Sequence, residues 1–369
     1  MPGRAEGKVR RVKIWNRRSR TVVLGAVPVA AVMSLLTLPT VPGTDIDLTV
    51  PYAAEGPGPT FDTLGQAEGR PVVDIVGAEQ DKTSGHLNMT TVSVRTKMTL
   101  AQAMSRWLFT EDTLVPIEQV FPAGKSPQQV QKDNEQAFAN SESNATIAAM
   151  SYLRRPLETM VIKTSESSPA ASVMNVNDVI TSVNDKKVTL PSDVAAAVRE
   201  HAPGDTVTVT VDRRGKSVSF PVTLAETPEE FRQGREKSAF LGVTTVAQPA
   251  GGLRVEYNLA DIGGPSAGLM FSLAVVDKLS PGELTGGRFI AGTGTIDAEG
   301  KVGPIGGITH KIQAAKDAGA SAFLVPADNC AEAVQEGEKG IELIKVDSLS
   351  DAVGDLKDLD GGKQPSHCE

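Results

Sequence analysis

The spacing of hydrophobic and polar positions divides the chain into stretches with different periods. Thr21 to Thr44 contains no charged residue and reads TVVLGAVPVAAVMSLLTLPTV through its centre. As a helix it is long enough to cross a hydrocarbon core of about 30 Å, and Pro28 is better tolerated there than in a water-exposed helix. Val72–Val76 and Leu87–Val94 predict short strands. Thr99 is a cap for a helix LAQAMSRWLF, because its oxygen can accept a free first-turn N–H. Ser126, followed by Pro127, predicts a second helix over Pro127–Phe138. Thr159–Lys163 and Asp178–Val183 read as strands. Ser192 caps a helix Asp193–His201 with Val194, Ala197 and Val198 at helical spacing. Thr206–Val211 alternates strictly, turns at Asp212–Gly215 and returns over Ser217–Leu224, which predicts a hairpin. Ala239–Thr245 and Leu253–Leu259 follow as strands. The segment LMFSLAVVDKL after Gly268 is apolar on nearly every face, as a buried helix is. Gly306 and Gly307 open a further helix to about Ala318. At about 100° per residue, Ile308, Ile312 and Ala315 form its apolar stripe. Lys311 falls about 60° from Ile308 on the flank of that stripe, and His310 about 160° away on the outward side.

Composition narrows the class. The chain has 369 residues, 40% hydrophobic and 22% charged, which excludes a wholly disordered or collagenous protein and suits about two domains plus extras. With Gly 35 and Pro 23, turn-dense β structure is favoured over a helical bundle. Aromatics at 4% argue against a base-stacking or carbohydrate platform, and dispersed Lys and Arg leave no basic groove for nucleic acid. Two cysteines cannot make a disulfide scaffold; one Cys330–Cys368 bridge and two free thiols both remain open. Four histidines without ligand spacing offer no metal site.

Charge is uneven. The first 20 residues carry eight Lys/Arg against one acid, while the remainder has 29 basic against 44 acidic residues. A basic head before an uncharged run predicts a single-pass membrane anchor over 21–43, residues 1–20 in the cytoplasm and the rest of the chain outside it. A signal peptide cut after Val29-Ala30-Ala31 is the rival, but it would leave Val32–Val41 as a greasy terminus; a buried helix is a third reading.

Chemistry concentrates in 236–350. Gly263-Gly264-Pro265-Ser266-Ala267-Gly268 places Ser266 at the start of the buried helix. Small neighbours let a substrate backbone come close, and free N–H groups at a positive helix end suit an oxyanion. A serine among glycines is by itself more often a turn or a cap. Lys311, held against apolar surface, is destabilised as a cation, so its pKa falls toward neutrality and it can serve as a general base. Gly264-Pro-Ser-Ala-Gly268 also fits the nucleophile elbow of α/β-hydrolases, but no acid and histidine follow in the way that fold requires.

Two resemblances join these pieces. Ser168–Ser172 (SPAAS), Asn177–Asp185 (NDVITSVND) and Gly204–Val211 (GDTVTVTV) together resemble a bacterial PDZ domain, with Asn177 where the family commonly has Gly. The resemblance implies a peptide ligand bound by strand addition. GGPSAG, then PIGGITHK with its lysine 45 positions after the serine, then AAKDAGASAFLVPADN, resemble the proteolytic domain of Lon proteases. Carried over, Ser266 aligns with the nucleophile, Lys311 with its general base and Thr293 with the threonine that orients the lysine. Gly264, Pro265, Ala267 and Gly268 match the loop around the serine. The family's acidic residue three before the serine is Gly263 here, and whether Asp261 substitutes is open.

The order anchor, PDZ, Lon-like domain resembles bacterial membrane-anchored PDZ–Lon proteins. The expected fold is α+β: a basic segment 1–20, a transmembrane helix 21–43, a region 45–150 without assigned role, a PDZ-like β-rich module 151–227, a Lon-type proteolytic domain 236–350 and a flexible tail 351–369. The expected function is an extracytoplasmic serine endopeptidase using a Ser–Lys dyad on protein or peptide substrates, the PDZ module recruiting flexible chains or gating the site. The resemblance admits a homo-oligomeric ring, which nothing in the sequence fixes. No cofactor is expected: Gly294–Val302 imitates a P-loop with its glycines six apart and Val after Lys, so the protease would be ATP-independent. The alternative is a non-catalytic, membrane-tethered peptide-binding scaffold.

Overall fold

A computed structural model describes residues 17–122, 124–165, 168–229, 238–260, 262–336 and 340–369. Two compact units divide the chain: residues 1–56 with 93–124, and residues 57–92 with 125–369.

In the smaller unit, Tyr52–Glu55 pairs antiparallel with Thr113–Pro116. Helix Leu100–Phe109 starts at Thr99 in a full capping box, with Thr99 Oγ1 accepting from the Gln102 amide and the Gln102 side chain accepting from the Thr99 amide. Helix Arg17–Thr37 also lies here. The anchor expected over 21–43 is not found: no helix among the described residues is long and apolar enough to cross a membrane. Part of the expected span is spent otherwise. The helix includes Arg17–Arg20 of the basic head, and at Thr37 it gives way to a turn in which Val41 N–H donates to Ile46 O and Leu48 N–H to Pro39 O. Thr21–Thr37 alone rises about 25 Å, short of the ~30 Å core. The membrane localisation derived from the charge pattern falls with the span.

The larger unit holds two cores. One sheet runs in the order Glu342–Val346, Ala322–Pro326, Phe289–Gly292, residues 86–92, residues 57–62, and its first four strands are parallel. The buried helix Gly268–Leu279 shares the principal core with Val73, Leu87 and Met89 and with Phe138, Ala145, Ala149 and Met150. Residues from the stretch without assigned role are thus built into the same core as the serine segment. Helix Pro127–Tyr152 supplies several of them. It opens with the expected Ser126 cap, completed by Gln129, and runs fourteen residues past the expected end.

The second core lies under the PDZ-like sheet, in the order Ser217–Thr223, Thr206–Asp212, Val179–Val183, Leu157–Thr164, Val243–Pro249. Helix Pro191–Arg199 covers it, starting two residues before the expected position because Asp193 accepts from the Thr189 and Leu190 amides. Asp178, almost fully buried, is held by Arg213 through two bonds of 2.8 and 2.6 Å. Val243–Pro249, expected with the proteolytic part, instead pairs along its length with Leu157–Thr164. Ala250 N–H donates to Pro156 O at 2.9 Å, so the two ends of this module leave the core side by side.

The tail expected to be flexible over 351–369 is fixed. Helix Leu349–Asp360 is capped by Ser348, Lys345 N–H donates to Ser366 O, and Cys368 N–H to Leu343 O. Cys330 and Cys368 are bonded and buried, their Cα atoms 5.1 Å apart. Pairing to the last strand and the covalent link order a segment whose composition reads as linker.

Candidate functional site

Ser266 stands two residues before helix Gly268–Leu279, a helix with all twelve residues buried. Its turn is held from three sides. Gly264 takes φ +91°, a conformation that favours glycine, and its N–H donates to Asn134 O at 3.0 Å. Pro265 O accepts from Ser141 Oγ at 2.9 Å. Ser266 O accepts from the Gly294 amide at 2.9 Å and from Thr293 Oγ1 at 3.2 Å. At Gly268 the approach of other elements excludes a side chain: a Cβ would lie 2.7 Å from Ile296 Cγ2 and 2.9 Å from Ser141 Oγ.

Lys311 arrives from another element. Helix Ile308–Ala318 starts at Gly307, which takes φ +68° and whose Cβ position would lie 2.8 Å from Val92 Cγ2. One turn in, Lys311 is only 3% exposed and its Nζ donates to Ser266 Oγ at 2.9 Å and to Thr293 Oγ1 at 3.0 Å. Burial lowers its pKa from the usual lysine value to about 8, since an ammonium loses hydration there. Among the described residues no carboxylate pairs with it. Asp261, considered in the sequence as a substitute acid, lies outside the described residues. Thr293, fully buried at the end of strand Phe289–Gly292, accepts from the lysine and donates to the Ser266 carbonyl, which ties the amine to the serine turn.

The structure therefore brings Ser266, Lys311 and Thr293 together, with Gly264, Pro265, Ala267 and Gly268 forming the turn. His310 is a correction. The helical wheel put it outward, yet it is buried at 7% exposed. The helix is packed on more than the one apolar stripe: Ala314 is buried as well as Ile308, Ile312 and Ala315.

A groove of about 800 Å3 opens over Ser266 and Lys311. Phe61, Met89, Val92 and Phe138 line it together with Pro304–Gly306 and the serine segment. These four were not singled out in the sequence. For Met89 and Val92 the strand pattern over Leu87–Val94 was the available signal, but that strand's partner, Phe289–Gly292, lies far along the chain. The run that imitates a P-loop is a hairpin, Thr295–Ile296 against Val302–Gly303.

The amides of Ser266 and Ala267 donate to no other group among the described residues. With the helix start behind them, they offer positive charge at the serine. The arrangement thus provides a hydroxyl, a buried amine at hydrogen-bond distance, unspent N–H donors and a partly apolar groove.

Comparison with known proteins agrees in two segments. Residues 130–224 match the family described as PDZ domain, and residues 260–356 the family described as Lon protease C-terminal proteolytic domain. Lon protease 2 of Bacillus subtilis is 29% identical over 132 residues, covering 34% of this chain and 23% of that protein. An archaeal Lon protease of Methanothermobacter thermautotrophicus is 35% identical over 92 residues, covering 24% of this chain and 14% of that protein. The chain thus spans less than a quarter of the length of these curated relatives. Among solved structures, the PDZ domain of an SdrC-like protein from Listeria monocytogenes aligns at 19% identity over 24% of this chain and 86% of that one, with a TM-score of 0.21. The chain carries a PDZ domain followed by a proteolytic domain of the Lon protease type.

Proposed function

We propose that the protein is a serine endopeptidase in which Ser266 is the nucleophile and Lys311 its general base. The observation that carries this is the 2.9 Å contact between a buried lysine amine and the serine hydroxyl. In the reactive form the amine is neutral. It accepts the Ser266 proton as Oγ attacks the scissile carbonyl carbon, and the carbonyl π pair moves onto oxygen, facing the amides of Ser266 and Ala267. Lys311, now protonated, gives that proton to the leaving amine as the C–N bond breaks. Water then enters and loses a proton to Lys311 as its oxygen bonds to the acyl carbon; the bond to Ser266 Oγ breaks, Lys311 returns that proton to Oγ, and the acid product leaves. Thr293 holds the amine in line throughout.

No nucleotide enters this scheme, so the substrate has to reach the groove as a flexible or unfolded chain. In the PDZ module, Val243–Pro249 ends its sheet. A peptide added to that edge would present substrate to the protease or gate it.

The test uses the purified chain with an unfolded casein-type substrate and no ATP, comparing the parent with Ser266→Ala and Lys311→Ala. Cleavage by the parent that is lost in both variants supports the dyad. Cleavage retained in Ser266→Ala overturns it. A folded parent that binds peptides but cleaves none of several unfolded substrates points to the scaffold reading.

A further inference from the structure

Ser141 lies outside the segment that matches the proteolytic family, on helix Pro127–Tyr152. It is 3% exposed, and a serine hydroxyl in a helix interior usually turns back on its own helix. This one instead donates to Pro265 O at 2.9 Å, 124 residues away in sequence. The bonded carbonyl belongs to the peptide group that also contains the Ser266 amide. All the described peptide bonds are trans, so the carbonyl and the N–H of that group point in opposite directions. A bond that holds Pro265 O toward the helix therefore turns the Ser266 N–H away from it. That N–H finds no acceptor among the described residues.

Other parts of the helix fix the same loop. Asn134 O takes the Gly264 amide at 3.0 Å, and Asn144 Nδ2 donates at 3.0 Å to Ile296 O on the neighbouring hairpin. Gly264, at φ +91°, is the residue about which this loop would most readily re-form. Its conformational freedom leaves the next peptide plane but one dependent on an outside anchor. Ser141 is the side chain that supplies it.

We infer that Ser141 is a positioning residue for the reaction at Ser266: its hydroxyl fixes the Pro265–Ser266 peptide plane so that the Ser266 amide faces the oxyanion. The inference rests on Ser266 being the nucleophile. Attack by Oγ moves the carbonyl electron pair onto oxygen, and the fixed N–H meets that charge without reorganising. The ground-state carbonyl gains much less from it. Ser141 touches neither substrate nor amine, so its loss lowers turnover while leaving substrate binding and the lysine's titration in place.

The experiment compares the full chain with Ser141→Ala and Ser141→Cys, beside Ser266→Ala, on a fluorogenic peptide cut by the parent. A peptide boronate serves as the probe of the tetrahedral state, because its boron bonds to Ser266 Oγ and places an oxygen where the oxyanion forms. Removing one oxyanion donor costs 10²–10³ in kcat. Freeing the plane that aims a donor should cost on the order of 10- to 100-fold in kcat, with KM within about two-fold of the parent. The boronate should weaken by the factor lost in kcat, and the pH midpoint of activity should not move. Ser141→Cys, which keeps a weaker donor, should fall between parent and Ala, and it carries the test if the Ala variant does not fold. Unchanged kcat in a folded variant overturns the inference, as does a rise in KM at constant kcat, or a loss of kcat without loss of boronate affinity. If Ser266→Ala still cleaves, the nucleophile reading itself has failed, and that outcome is distinct from a failure confined to Ser141.

Discussion

Lys311 reaches Ser266 from a different helix, its amine 2.9 Å from the hydroxyl, with a threonine rather than a carboxylate as its other partner. A carboxylate beside the amine would stabilise the ammonium and raise its pKa. Thr293 accepts a hydrogen bond from the amine without adding charge, and burial lowers the lysine's pKa.

Activity should therefore rise with pH. Below the lysine's pKa of about 8 the amine is protonated and cannot accept the serine proton. The profile of kcat/KM should climb through a midpoint near pH 8, read with a peptide substrate whose own groups do not titrate there. A midpoint unmoved from that of free lysine, or a flat profile from pH 6 to 9, contradicts the assignment.

The same burial should cost stability. In the unfolded chain Lys311 titrates at its ordinary value of 10.5, so between about pH 8 and 10.5 the unfolded state binds more protons than the folded one. Stability from this group rises with pH across that window, and the full penalty, about 3 kcal/mol, applies below it. Lys311→Met removes the buried charge but also two hydrogen bonds worth about 1 kcal/mol each. At pH 7 the variant should be inactive and about 1 kcal/mol more stable by denaturant melts, with the gain vanishing at about pH 9 and turning into a loss of about 2 kcal/mol above the ordinary lysine pKa of 10.5.

Thr293→Val keeps the shape of a fully buried side chain and deletes the hydroxyl that joins Lys311 to the Ser266 carbonyl. Turnover should fall on the order of 10-fold, with smaller change in KM. Equal kinetics in parent and variant would show that packing around the lysine suffices to place it.

Breaking the Cys330–Cys368 link should loosen the C-terminal segment. The bond closes a separation of 38 residues, for which chain entropy predicts about 3–4 kcal/mol. Reduction, or Cys368→Ser, should lower the melting temperature and make residues beyond Asp360 exchange amide hydrogens quickly. Protection that stays unchanged would mean that the hydrogen bonds to Leu343 and Lys345 hold the segment by themselves.

Much of the serine segment was legible in the sequence because its signals are local: a glycine-rich turn before an all-apolar helix, and a lysine beside an apolar stripe. What failed depended on distant partners. Helix Pro127–Tyr152 reads as ending at Phe138 because Asn140–Thr146 is polar. Yet Ser141, Asn144 and Thr146 spend that polarity on Pro265 O, Ile296 O and Tyr257. His310 was placed outward by a wheel with a single narrow apolar stripe, whereas burial on this helix extends through His310 and Ala314 and leaves the side of Thr309, Gln313, Lys316 and Asp317 toward solvent. The part of the groove wall from Met89 and Val92 depends on strand His86–Arg95 pairing with Phe289–Gly292, a register no short window contains.

The docked C-terminal segment has a further consequence. Glu342–Val346 ends its sheet, and Ser366–Cys368 lies along it, taking up backbone groups that would otherwise be open to another chain. The bond that fastens this cover is a disulfide. A reducing agent would therefore do more than relax a loop: it would uncover a strand edge able to template aggregation, so the protein's solubility on storage is tied to its redox state.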